Sequence, residues 1–165
     1  MEIFVDLDGV LVDLTRGCIE TLGHDWISWR PDMTQKEVRM RENLEREVKS
    51  IEFWATLPKK QDFDELWNYL KPYEPHILTA HAHKVIQEVH LGKHKWNEKH
   101  LDVPVDKFHV VERHLKQKFA KDDIVPNILI DDYQLNIDEW TAAGGVGILH
   151  LDSKTTIQQL KELGL

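Results

Sequence analysis

The chain has 165 residues, 41% of them hydrophobic, and a formal charge of -8, enough for one ordinary domain with a sizeable core and one modest insertion. The acidic balance argues against a general nucleic-acid binder, which needs a basic surface to displace counterions from phosphates. No apolar run approaches the roughly 18 to 20 residues that span a bilayer, and no signal-peptide pattern opens the chain. The single cysteine, Cys18, excludes an internal disulfide and leads us to expect a cytoplasmic protein.

The first apolar run, Ile3 to Val5, reads as a strand and ends in Asp6-Leu7-Asp8-Gly9-Val10. About 70 residues separate it from the next strand, far more than one crossover helix requires. A small helical insertion is therefore expected over 14–70, with the core formed by 1–13 and 71–165. Within the insertion, Thr34 and Glu37 form a T-x-x-E capping box that opens a charged helix through Lys49, and a second helix is expected from Asp62 to Leu70. The insertion also holds Trp26, Trp29, Phe53, Trp54 and Trp67. Aromatics in a small helical insert more often form its own miniature core than a ligand platform.

The second strand, His76 to Thr79, is followed by Ala80 and His81. Residues 84–121 carry nine Lys and Arg against five acids, which reads as a solvated helix face able to attract an anionic substrate. The third strand, Phe108 to Val111, lies inside that stretch, and the fourth, Asn127 to Ile130, ends in Asp131-Asp132. Asn136 and Trp140 share one face of the next helix and are expected to hold it against the sheet. Gly144 and Gly145 close that helix before a fifth strand, Val146 to Leu149. Such alternation predicts an α/β fold with a mostly parallel sheet, and the nearly continuous apolar runs predict helices on both faces.

Ligands of open parallel sheets bind outside the carboxyl ends of the strands, where this sequence places Asp6, Asp8, Thr79, Ala80, His81, Asp131 and Asp132. Four carboxylates on one edge repel one another unless a hard cation or a proton neutralises them. Oxygen ligands without cysteine point to Mg2+. With Gly9 permitting a tight turn, Asp6 and Asp8 can approach one phosphorus from different sides. One of the two then attacks and the other shuttles a proton. Thr79 and neighbouring backbone N–H groups would hold phosphate oxygens, and a lysine would balance the charge.

Asp6-x-Asp8-Gly-Val-Leu, Thr79 after the second strand, a downstream lysine, and Asp131-Asp132 after the fourth resemble the four motifs of the haloacid dehalogenase superfamily. The resemblance implies a Rossmann-like core with a cap inserted after the first strand. It further implies Mg2+ held by Asp6, the carbonyl of Asp8 and the Asp131-Asp132 pair, with Asp8 as acid and base. Among Lys116, Lys118 and Lys121, Lys116 is taken as the motif lysine for catalysis and phosphate binding, because it opens a short helix expected over Lys116 to Lys121. A closer likeness, in Asp6-x-Asp-Gly-Val-Leu-x-Asp13, Phe53-Trp54 with Leu57, and Ile130-Asp-Asp-Tyr-x-x-Asn136-Ile-x-x-Trp140-x-x-x-Gly144-Gly145, is to the 5'(3')-deoxyribonucleotidase family. That likeness implies a nucleoside monophosphate as substrate, received by cap aromatics such as Trp26, Phe53 or Trp54; His81, after Thr79, is a further candidate for contact with the substrate. The sequence departs from that family in Tyr133, where a basic residue commonly follows the paired aspartates, and in His81 after Thr79.

Three other readings compete. The pairs His81-x-His83 and His90-x3-His94 suggest zinc, but neither has a matching partner cluster. The fourth motif also resembles the 3'-phosphatase domain of polynucleotide end-healing enzymes, whose strand groove would have to come from the lysines of residues 93–121. A non-catalytic phosphate-binding module would have lost a nucleophile or a ligand, whereas Asp6, Asp8, Thr79 and Asp131 are all present.

Overall fold

A computed structural model describes residues 1–27, 30–81 and 85–165, so Trp29 of the insertion and His83 of the first histidine pair lie outside the described residues. Strands β1 (Ile3–Val5), β2 (His76–Ala80) and β3 (Phe108–Val111) are followed by a small antiparallel hairpin of β4 (Lys121–Asp122) and β5 (Val125–Pro126). Strands β6 (Ile128–Asp131) and β7 (Val146–Leu149) complete a five-stranded parallel sheet in the order β3-β2-β1-β6-β7. Val5 is in register with Ile77 on one side and Ile130 on the other. The central strand β1 and its neighbour β6 are buried along their whole length, the condition of a sheet covered on both faces.

The helices are α1 (Leu14–Leu22), α2 (Gln35–Glu47), α3 (Ile51–Ala55), α4 (Phe63–Leu70), α5 (Ile86–His100), α6 (Gln134–Ala142) and α7 (Ser153–Glu162). The capping box at α2 is formed in both directions, with Thr34 Oγ1 accepting from Glu37 N and Glu37 accepting from Thr34 N. Its partners hold the Glu37 carboxyl down at about 2, chiefly through the backbone N–H and hydroxyl of Thr34 and then Arg30. In place of the helix expected over Lys116 to Lys121, a 3-10 segment spans Arg113–Phe119. No helix among the described residues is long and apolar enough to cross a membrane.

Two compact units emerge, one comprising Met1–Val12, Lys59–His81 and Val103–Leu165, the other Asp13–Pro58 and Ala82–Asp102. This differs from the expected insertion over 14–70 in two places. Helix α4 belongs to the sheet-containing unit, because its first turn is tied to α7: the Asp62 carboxylate accepts from Ser153 N at 2.8 Å and the Asp62 carbonyl from Ser153 Oγ at 3.0 Å. Helix α5 belongs to the other unit, where a Cβ on Gly92 would come within 2.3 Å of Trp54 Cβ and Trp96 Nε1 donates to the Leu57 carbonyl at 2.8 Å. Spacing along the chain shows where an insertion starts but not which later helix packs with it.

In the sheet-containing unit, Phe4, Leu78 and Leu129 of the strands meet Ala120, Ile137 and Trp140 in one buried cluster. Trp140 secures α6 as expected, its Nε1 donating to the Asn127 carbonyl at 3.1 Å. Asn127 is a buried junction, whose amide accepts from Glu2 N and donates to the Phe119 carbonyl.

Candidate active site

The order of the strands places the chain's change of direction at β1, with β2 on one side and β6 on the other, so the crevice beyond their carboxyl ends is where a ligand fits. Asp6 leaves β1 with its N–H still donating to the Ile130 carbonyl at 2.9 Å. The chain then coils tightly, because the Leu7 carbonyl accepts from Val10, Leu11 and Val12 N–H at 3.2, 2.9 and 2.8 Å. Gly9 sits in that coil at φ +85°, and an added Cβ would lie 1.9 Å from Asp132 Oδ2. The glycine is required twice, by its left-handed backbone and by the carboxylate that occupies its missing side chain.

Around this turn the structure brings together Asp6, Lys116, Asp131 and Asp132. Lys116 Nζ lies 3.0 Å from Asp6 Oδ2 and 2.7 Å from Asp131 Oδ2, and the lysine is only 2% exposed. Burial alone would lower its pKa, but the charges of Asp6 and Asp131 outweigh burial and hold it above the ordinary lysine value. The same triad pushes Asp131 upward, through burial and the facing Asp6, against the pull of Lys116. Lys118 and Lys121 are exposed.

Asp131 is held from several directions. Its Oδ1 accepts from Tyr133 N at 2.9 Å, at the N-terminus of α6, where the helix dipole favours a negative charge. Asn136 Nδ2 donates to both carboxylate oxygens, at 3.0 and 2.9 Å. Asn136 thus works on the site rather than on the sheet. Arg113 and Glu139, which the sequence did not single out, stand behind it: Arg113 Nη1 donates to Asn136 Oδ1 at 3.1 Å, and the guanidinium forms a two-pronged pair with Glu139 at 2.8 and 3.1 Å.

Single donor atoms of Asp6, Asp131 and Asp132 all lie within 4.8 Å of one another. Desolvation of its carboxyl, followed by the charges of Asp6, Asp131 and Asp8, pushes Asp132 up to about 7. The Asp132 side chain as a whole is open to water, so the three negative neighbours act on it more than desolvation does. One buried lysine does not neutralise this group, and hard oxygen donors at such spacing fit Mg2+. The donor set therefore suits the ion that the sequence implies.

The remaining expected residues fall out differently. Asp8 is half-buried in the coil, its backbone bridged to Val12. Thr79 is fully buried in β2 and Ala80 ends the strand. The N–H of His81 donates to the Val111 carbonyl at 3.0 Å, so that backbone group serves the sheet and not a phosphate oxygen. In the other unit Phe53 and Trp54 are buried, stacked edge to face at 5.1 Å, with Trp54 Nε1 donating to the Val48 carbonyl. They pack in the interior of that unit. Trp26 is half-buried, 6.3 Å from Trp54 and beneath the Arg41 guanidinium. The lysine-rich stretch is divided between the two units, and Lys93 and Lys116 within it are buried.

No family model matches the chain, and no curated protein is similar to it. Among solved structures, a hydrolase from Streptococcus pneumoniae TIGR4 superposes with a TM-score of 0.51 at 16% identity, over 98% of this chain and 97% of its own. A HAD family hydrolase from Deinococcus radiodurans R1 with bound phosphate and sodium gives 0.47 at 12% identity, over 96% and 87%. L-2-haloacid dehalogenase from Xanthobacter autotrophicus gives 0.47 at 12% identity, over 98% and 82%. Only the first exceeds one half, and at that identity the likeness is one of fold. The chain shares with that hydrolase a Rossmann-type α/β fold built on a parallel central sheet.

Proposed function

We propose that the chain is a Mg2+-dependent phosphomonoesterase that acts through a phosphorylated Asp6, with nucleoside monophosphates as its substrates. The observation that carries this reading is the buried Asp6–Lys116–Asp131 triad beside Asp132 at the carboxyl edge of the sheet. Mg2+, held by Asp6, Asp131 and Asp132 with the carbonyl of Asp8, would act as a Lewis acid on phosphoryl oxygens.

In the first step an Asp6 carboxylate oxygen attacks phosphorus and the ester P–O bond breaks, while Asp8 gives its proton to the departing oxygen. In the second step Asp8 takes a proton from water, which attacks phosphorus, releases phosphate and restores the Asp6 carboxylate. Lys116 remains a cation throughout, as its raised pKa requires, and offsets negative charge on the phosphoryl group. The preference for nucleotides rests on the sequence resemblance.

The test is phosphate release with Mg2+ from deoxynucleoside and nucleoside monophosphates, 3'-phosphorylated oligonucleotides, sugar phosphates and p-nitrophenyl phosphate, comparing wild type with Asp6→Asn. Release from mononucleotides that is absent in the variant supports the reading. Equal turnover of sugar phosphates and nucleotides would remove the nucleotide preference, and release from oligonucleotide ends alone would replace it with end repair.

A further inference from the structure

An asparagine amide has two unlike ends, an NH2 that only donates and an oxygen that only accepts. The carboxylate of Asp131 only accepts, so Asn136 supports it in one orientation alone, with Nδ2 toward Asp131 and Oδ1 away. Turned over, the amide would set oxygen against oxygen at about 3 Å in a buried site, an unmatched polar contact that disfavours that orientation. Arg113 fixes the choice. A guanidinium has no acceptor, so the 3.1 Å bond from Arg113 Nη1 requires the amide oxygen on that side. Glu139 in turn holds both prongs of the guanidinium at 2.8 and 3.1 Å.

The positions of these residues give the bond a second effect. Arg113 opens the 3-10 segment that carries Lys116 three residues later, on the same side of a helix with three residues per turn. Asn136 and Glu139 are likewise three apart on α6 and face the same way. One guanidinium thus ties the segment bearing Lys116 to the helix bearing Asn136, and the two elements converge on the Asp131 carboxylate.

We propose that Arg113 is a positioning residue, which locks the Asn136 amide and so presents Asp131 to the metal in one orientation. This rests on the phosphatase reading, because Asp131 matters there as a ligand. Lysine cannot replace Arg113, since a point charge lacks the fork that spans Glu139 and Asn136.

The experiment is Mg2+ calorimetry on the metal-free chain, alongside Mg2+ activation curves with p-nitrophenyl phosphate and thermal midpoints. Arg113→Met and Arg113→Lys are expected to weaken Mg2+ binding about 10- to 100-fold, the usual effect of losing an outer-shell support, with kcat recovering at high Mg2+. The double variant R113E/E139R restores an ion pair between the two elements but leaves no donor for Asn136 Oδ1, so it should recover the thermal midpoint and not the Mg2+ affinity. Should Arg113→Met not fold, Glu139→Gln, which keeps one prong, is expected to show a smaller loss of the same kind. Wild-type Mg2+ affinity in Arg113→Met or in R113E/E139R, in an active enzyme, would overturn the positioning role alone. An inactive wild type whose Mg2+ affinity still falls in Arg113→Met would remove the phosphatase reading and keep the positioning role, and a wild type that binds no Mg2+ would remove both.

Discussion

Replacing Lys116 by methionine removes the only cation in contact with Asp6 and Asp131 among the described residues, while keeping an unbranched side chain in a site 2% exposed. The ammonium lies 3.0 and 2.7 Å from the two carboxylates, so its loss leaves two buried anions facing each other. Removing one partner of a buried ion pair costs about 3–5 kcal/mol. The second orphaned anion raises that cost, and the N–H groups of Tyr133 and Asn136 that still reach Asp131 lower it. We therefore expect Lys116→Met to lose about 3–5 kcal/mol in urea denaturation without metal, and to gain more stability from added Mg2+ than the wild type gains. D131N/K116M removes an anion together with the cation, so its loss should fall short of the sum of the single losses by about 0.5–3 kcal/mol. Because the pKa of Lys116 is raised, its contribution is fully present below the ordinary lysine value and is lost only as pH rises through the higher folded value. The gap between wild type and Lys116→Met should consequently persist on the alkaline side of neutrality. Phosphate release should vanish in the single variant. A loss of about 1 kcal/mol or less, the value of an exposed ion pair, with phosphate release retained, would refute the charged triad.

Gly9→Ala is expected to cost at least about 1–2 kcal/mol from its left-handed backbone, with a further loss because the new Cβ would fall 1.9 Å from Asp132 Oδ2. The double variant G9A/D132A, which removes that carboxylate, should recover part of the thermal midpoint, and full stability of Gly9→Ala would contradict the geometry. On the acid side, His109 stacks on His76 with the rings 5.4 Å apart, and burial, then the charge of His76, holds its pKa below the ordinary histidine value. The unfolded chain therefore binds more protons there, so stability should fall as pH drops below about 6.5. His109→Asn is expected to flatten that slope in urea titrations, and an unchanged slope would assign the acid sensitivity elsewhere.

The sheet was legible because its strands are short apolar runs with no alternation, and burial on both faces requires that pattern. All five runs became strands, within a residue or so at their ends. The small hairpin of β4 and β5 was missed, since two-residue strands carrying Lys121, Asp122, Val125 and Pro126 leave no periodic signal. The division into units was half legible. The gap between the first two strands announced an insertion, yet the bonds of Asp62 to Ser153, 91 residues away, decide that α4 stays with the sheet. A bond over that distance has no local pattern.

The site separates along the same line. Asp6, Lys116, Asp131 and Asp132 could be named because each follows a strand end or a short connection, and a parallel sheet gathers its carboxyl ends on one edge whatever the details of packing. Asn136 was noticed for its spacing from Trp140, but spacing on a helix gives only a face, and one face of α6 serves two ends. Trp140 reaches down to the Asn127 carbonyl, whereas Asn136, one turn nearer the N-terminus, reaches the carboxylate from which the helix departs. Arg113 had no signal at all, lying among lysines in a segment read as a solvated face. Its meaning arises only once Glu139 is fixed opposite, because a guanidinium that must satisfy a carboxylate with two prongs has one direction left for Asn136. The groups that would touch a phosphate are therefore written in the order of the strands, while the groups that aim them are written in the packing of α6 against the 3-10 segment. Substitutions at Arg113, Asn136 and Glu139 should accordingly move Mg2+ affinity together, and those at Trp140 should move stability alone.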